Sequence, residues 1–133
     1  MAARNFLIVS TLIWLPYGVF CFFQPGFLAE AAGVSAVGAT ATTELRAMYG
    51  GLQGAIGVLA ALAVVRVDLR RPALITIGFL TGGLGLSRLA GAALDAEMSA
   101  YTGGASVFEL VSAGVATWIL SRGEGGTAWE SAR

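Results

Sequence analysis

Apolar residues run almost unbroken through four stretches of this chain: 6–23, 45–65, 73–94 and 102–120. Each is close to the ~20 residues a helix needs to cross ~30 Å of hydrocarbon. The pattern predicts an all-α protein, a four-helix transmembrane bundle with short loops, filling residues 1–120 as one domain. Residues 121–133 are polar and glycine-rich and read as a flexible cytoplasmic tail. The first run is longer than a signal-peptide core and three more follow, so it is expected to stay as an anchor, although Ala29-Glu30-Ala31 resembles a cleavage site.

The connections carry their own signals. Pro25-Gly26 ends the first helix. Phe27, Leu28, Ala31 and Ala32 then suit a short helix lying in the membrane interface. Thr40, Thr42 and Thr43 are placed to cap the second span, with Glu44 at its positive end. Pro72 marks the start of the third. Gly50, Gly54 and Gly57 recur on one side of the second span, and Gly78, Gly82, Gly83 and Gly85 crowd the third. Such spacing lets helices approach closely in lipid. The third-span cluster is no phosphate loop, because it lies within an apolar run and no Lys-Ser/Thr follows it.

Composition sharpens the class. Of 133 residues 56% are hydrophobic and only 12% charged, against about 25% charged in a soluble domain. Mean hydropathy is +0.77. Eight arginines balance eight acids, so no basic face for nucleic acid exists. The sequence contains no His and no Lys, which removes imidazole metal sites, Ser-His-Asp triads and lysine Schiff bases. Cys21 stands alone, so no internal disulfide forms. No metal and no cofactor is expected.

The informative residues are polar ones inside apolar runs. Charges at membrane depth are costly, so they face a bundle interior and mark a site. Arg88 lies 16 residues past Pro72, about 24 Å along the helix. Glu109 lies seven residues past Thr102, about 10 Å from the opposite edge. These depths match within a few ångströms, and side chains on antiparallel neighbours lean toward each other. Arg88 and Glu109 are therefore expected to meet. Arg46, Tyr49, Gly50 and Gln53 share one helical face, with Arg46 expected to snorkel outward. Thr102, Ser106, Glu109 and Ser112 share another, and Thr81, Arg88 and Asp95 a third. Three stripes at one depth predict an outward-facing polar pocket. On the first helix Ser10, Trp14, Tyr17 and Cys21 share a face suited to packing or to an interfacial aromatic.

Arg4, Arg66, Arg70, Arg71 and Arg122 flank one side of the spans, while Glu30, Glu44, Asp95 and Glu97 flank the other together with Arg46. The positive-inside rule then places both termini in the cytoplasm.

Trp14-Leu15-Pro16-Tyr17-Gly18, then Phe27-Leu28 and Ala32-Gly33, then Thr43-Glu44-Leu45-Arg46-Ala47-Met48-Tyr49-Gly50-Gly51-Leu52-Gln53, with later Arg88 and Phe108-Glu109, resemble a family of small bacterial four-helix membrane proteins, the domain of unknown function 4345. The resemblance covers nearly everything except the C-terminal tail. It implies a four-helix fold in a bacterial cytoplasmic membrane, with Glu44, Arg46, Tyr49, Gln53, Arg88 and Glu109 as site positions, and it carries no activity.

Three functions stay open. A binding module would hold a lipid-like or terpenoid molecule against Glu44, Arg46, Tyr49, Gln53, Arg88 and Glu109, with Trp14 and Tyr17 nearby. An intramembrane enzyme of isomerase or epoxide-opening type would use Glu109 as acid or base, with Arg88 and Tyr49 assisting. A structural subunit would use the small-residue faces to join a homo-oligomer or a larger membrane complex. Membrane lipids are partners under all three.

Overall fold

The computed structural model describes residues 1–123, and every element among them is helical. Helix α1 spans Ala2–Phe23, α2 Phe27–Ala32 and α3 Ala39–Leu45. A π-helical segment, Arg46–Leu52, leads directly into α4, Gln53–Val65. A 3-10 turn, Val67–Leu69, precedes α5, Arg70–Asp95, and α6 covers Ala100–Ser121. Four stretches are long and apolar enough to cross a membrane: Ala2–Phe23, Ala39–Val65, Val67–Asp95 and Ala100–Ser121. The tail assigned to 121–133 lies outside the described residues from 124 onward.

Each span starts earlier than its apolar run, for local reasons. The threonines before the second span do not cap it. Thr42 Oγ1 donates to Gly38 O and Thr43 Oγ1 to Ala39 O, each at 3.0 Å. These are bonds to the carbonyl four residues back, which keep a hydroxyl inside a helix rather than at its start. The helix therefore reaches back to Ala39, and Gly38 (φ 88°) makes the entry turn that a side chain would strain. Pro72 is the third residue of α5, where its missing N–H would lack a helical partner anyway. Helix α6 starts at Ala100 because Ser99 is its N-cap, accepting the Thr102 N–H at 3.1 Å. The short helix expected after Pro25-Gly26 is present as α2 and ends on Gly33 (φ 67°), whose N–H bonds Leu28 O.

The chain forms two compact units, one of Leu7–Val65 and one joining Met1–Phe6 to residues 66 onward. In the first, α1 and the second span run antiparallel at backbone contact. A Cβ added at Gly57 would lie 2.6 Å from Leu15 Cα; one at Gly18 would lie 2.6 Å from Gly54 Cα; one at Gly50 would lie 2.9 Å from Phe22 Cα. Only glycine allows that approach, and apolar burial supplies little drive between helices already in hydrocarbon. Gly54 offers its backbone, with open space where its Cβ would go. In the second unit α5 and α6 pack antiparallel. At the end where α5 starts and α6 finishes, Ala3, Leu74, Ala116 and Ile119 are at most 2% exposed and are flanked by Phe6 and Leu120. That cluster ties the start of α1 to the start of α5 and the end of α6.

These glycines are not equivalent, and alanine substitution separates them. Gly18→Ala and Gly57→Ala meet backbone and should each cost about 1–3 kcal/mol. Gly54→Ala and Gly83→Ala meet nothing within 4 Å and should gain up to about 1 kcal/mol from helix propensity. Thermal unfolding of the detergent-purified protein measures all four. Equal shifts at Gly18 and Gly54 would show that α1 does not approach this closely.

Candidate functional site

Small residues on α5 and α6 bring two charged side chains together. Gly78 faces Ala116 and Gly82 faces Ala113, with Cβ contacts of 3.4 and 3.5 Å. One turn on, Gly85 lies against Leu110 and Glu109. The space left by Gly85 lets the next α5 turn deliver Arg88 to Glu109. Arg88 Nε donates to both carboxylate oxygens, at 3.1 and 3.0 Å. The Glu109 side chain is 5% exposed and that of Arg88 21%. The Arg88 guanidinium also sits 5.6 Å from the centre of the Tyr101 ring, a cation–π geometry. The expected meeting of Arg88 and Glu109 is thus realised, and Tyr101 joins it.

Hydroxyls around the pair divide into two kinds. Thr81 Oγ1 donates to Ile77 O at 2.7 Å and Ser112 Oγ to Phe108 O at 2.8 Å. Both are occupied by their own helix. Ser106, one turn before Glu109 on α6, is 2% exposed and its Oγ has no hydrogen-bond partner. An unpaired hydroxyl in an apolar interior costs on the order of 1–3 kcal/mol. Asp95, the third member of the α5 stripe, is exposed at the end of that helix. The α5–α6 unit therefore assembles Arg88, Glu109, Ser106 and Tyr101, and leaves Asp95 outside.

The Leu7–Val65 unit carries the other expected residues. Arg46 finds a main-chain partner at the end of α1. Its Nε donates to Phe22 O at 3.1 Å, a carbonyl in the last turn of α1 that lacks a helical partner. A guanidinium there also opposes the negative end of the helix dipole. Arg46 is thus a cap on α1, placed by the same close approach that puts Gly50 against Phe22. Tyr49 is half-buried within the π segment. Gln53 is 8% exposed, and its Oε1 has no hydrogen-bond partner. Trp14 is 4% exposed and Tyr17 half-buried on α1, and Glu44 is exposed on α3. Among the described residues, no three acidic or cysteine side chains gather to hold a metal ion.

Two features escaped the sequence. Tyr101 lies one residue before the 102–120 apolar run, though it sits two helical turns before Glu109 on the same face. The π segment has no pattern of its own; the Gly50-Gly51 pair inside it is the one cue, since such segments often occur at functional sites.

A family model described as "Domain of unknown function (DUF4345)" matches residues 2–120. No curated protein and no solved structure matches the chain.

The ion pair predicts non-additive mutants. Arg88→Leu or Glu109→Leu alone strands one buried charge and should cost about 3–5 kcal/mol. The double variant should recover a large part of that loss. Thermal unfolding of the three variants reads the coupling, and strictly additive losses would mean the contact contributes nothing.

Proposed function

This chain belongs to the DUF4345 family, and from that premise we propose that it is an intramembrane binding protein whose polar site takes the single polar group of a lipid-like or terpenoid molecule. Four apolar spans and 12% charged residues are those of an integral membrane protein. The observation that carries the finer reading is the orphan Ser106 hydroxyl beside an already paired carboxylate. A Glu–Arg tie needs no third polar group. A ligand hydroxyl or carbonyl would bond Ser106 Oγ and the outer edge of the pair, while the apolar side chains around them hold the rest. Gln53 Oε1, also buried and unpaired, supports a polar group of the same kind in the Leu7–Val65 unit, with Tyr49 one turn away.

A second reading rests on Glu109 itself. A buried carboxylate held by a guanidinium, with a hydroxyl one turn away, has the parts for proton transfer. Under it Glu109 acts as acid or base toward an epoxide or a double bond, and the bound molecule is a substrate.

Extraction of the purified protein followed by mass spectrometry tests both. The wild type should carry one apolar molecule with a single polar group. Ser106→Ala removes the orphan hydroxyl, so it should unfold at the same or a higher temperature and lose about ten-fold in retention, the worth of one hydrogen bond. Tyr49→Phe and Gln53→Leu should likewise fold normally and bind less. Conversion of the retained molecule by wild type, abolished in Glu109→Gln, selects the enzyme. Wild type that never carries such a molecule leaves the helix-tying role, and with it a structural subunit.

In the same proposal both termini face the cytoplasm of a bacterial inner membrane. Packing of Ala3 with Leu74, Ala116 and Ile119 collects Arg4, Arg70, Arg71 and Arg122 at one end of their unit. Arg66 lies beside them in sequence and pairs with Asp68 at 2.8 Å. With Cys21→Ala as background, Ser35→Cys should react with an impermeant thiol reagent on intact cells and Asp68→Cys should not. Labelling at position 68 would reverse the orientation.

A further inference from the structure

On the binding role proposed for the Ser106–Glu109 site, we infer that the group it takes is an alcohol: one neutral oxygen that accepts from Ser106 and donates to Glu109. Each half of that bridge answers an open demand. Ser106 Oγ is buried without a hydrogen-bond partner, and a hydroxyl has one proton to give. An ionised carboxylate has room for about four hydrogen bonds. Among the described residues Glu109 receives them from Arg88 Nε, whose single proton is shared between Oε1 and Oε2 at 3.1 and 3.0 Å. The carboxylate is therefore balanced in charge and short of donors. Its side chain is 5% exposed, and hydrocarbon supplies no donor to make up the difference.

Spacing and charge both select that group. Ser106 and Glu109 are one turn apart on α6, a spacing that puts Cβ atoms about 5–6 Å apart. Two O–H···O bonds of about 2.7 Å in series cover the same length, so one oxygen serves both residues. A carbonyl oxygen accepts from Ser106 and gives Glu109 nothing. A carboxylate or phosphate puts a second anion beside Glu109. The Arg88 charge that would offset it is already paired, and its guanidinium lies against the Tyr101 ring at 5.6 Å. An amine brings a third charge to membrane depth, where an unmatched ion is costly. Of these groups the alcohol alone satisfies both atoms and leaves the charge balance as it is. At 21% exposure the Arg88 side chain keeps the pair open on one side.

Farnesol, farnesal and farnesoic acid share one skeleton and end in an alcohol, an aldehyde and an acid. The purified protein is equilibrated with equal amounts of the three, and mass spectrometry reads what it retains. Wild type should favour farnesol over farnesal by about ten- to a hundred-fold, the worth of a hydrogen bond to a charged group, and should retain farnesoic acid least. Ser106→Ala should lower farnesol and farnesal alike, about ten-fold each, and keep their ratio. Arg88→Leu with Glu109→Leu removes both charges together and should bring that ratio to about one. Ser112→Ala is the control, because that hydroxyl is taken up by Phe108 O; it should bind as wild type. Equal retention of farnesol and farnesal by wild type overturns the alcohol and leaves the binding role standing. Preference for farnesoic acid, or an unchanged ratio in the double variant, does the same. Retention of none of the three overturns both.

Discussion

Inside hydrocarbon, helices gain little by hiding apolar side chains from one another, so the distance between backbones decides what holds. In this chain glycine sets that distance twice. Between α1 and the second span, Gly18, Gly50 and Gly57 each face main chain or a Cβ with no room for a methyl group. Between α5 and α6, Gly78 and Gly82 meet alanine methyls at ordinary contact distance and Gly85 meets a leucine tip that can move. The first contact is rigid and the second adjustable. The polar chemistry follows from both. Arg46 reaches Phe22 O only because Gly50 brings the second span onto α1, and Arg88 reaches Glu109 only because Gly85 leaves its turn empty.

The two arginines show how one residue type serves opposite ends. Arg46 meets the end of a helix, where an unpaired carbonyl and the dipole both favour a cation. It satisfies one of the open carbonyls at the end of that element. Arg88 meets a carboxylate in the middle of a helix pair, where neither charge has another reason to be. A buried pair often contributes no more than a well-packed apolar pair would, so stability alone is a weak account of it. That difference, rather than the presence of charge, separates the capping arginine from the site arginine.

Much of this was legible in the sequence. Four spans, the antiparallel matching of Arg88 with Glu109, and the short helix after Pro25-Gly26 all follow from periodicity, depth arithmetic and breakers. Span starts were not, because they depend on which atom a hydroxyl chooses. Thr42 and Thr43 satisfy carbonyls behind them and extend a helix, while Ser99 satisfies the Thr102 N–H ahead of it and starts one. Both choices are open to such side chains, and tertiary context selects between them. The role of Arg46 was hidden for a related reason. Its partner is a backbone carbonyl 24 residues away, and a main-chain acceptor leaves no mark in a side-chain pattern. The π segment was hidden because its signature is a hydrogen-bond register, not a residue type.

The same freedom of the hydroxyl bears on what the site is for. A buried serine in a helix always has an acceptor within reach, the carbonyl four residues back, as Ser112 and Thr117 demonstrate on α6 itself. Ser106 sits on that helix, more buried than either, and does not take it. In a medium without water an open polar atom is costly, and the low-cost remedy is one rotamer away. A side chain that forgoes a local bond is oriented by something other than its own helix. Packing beside Glu109 supplies one such force, and under the proposed binding role a ligand atom between Ser106 and the ion pair would supply the other. The proposed ligand would give the hydroxyl a use, where alanine would pack without an orphan. Under the proposed binding role, that orphan hydroxyl is the physical reason to place a ligand's polar group at Ser106 rather than anywhere along the apolar faces.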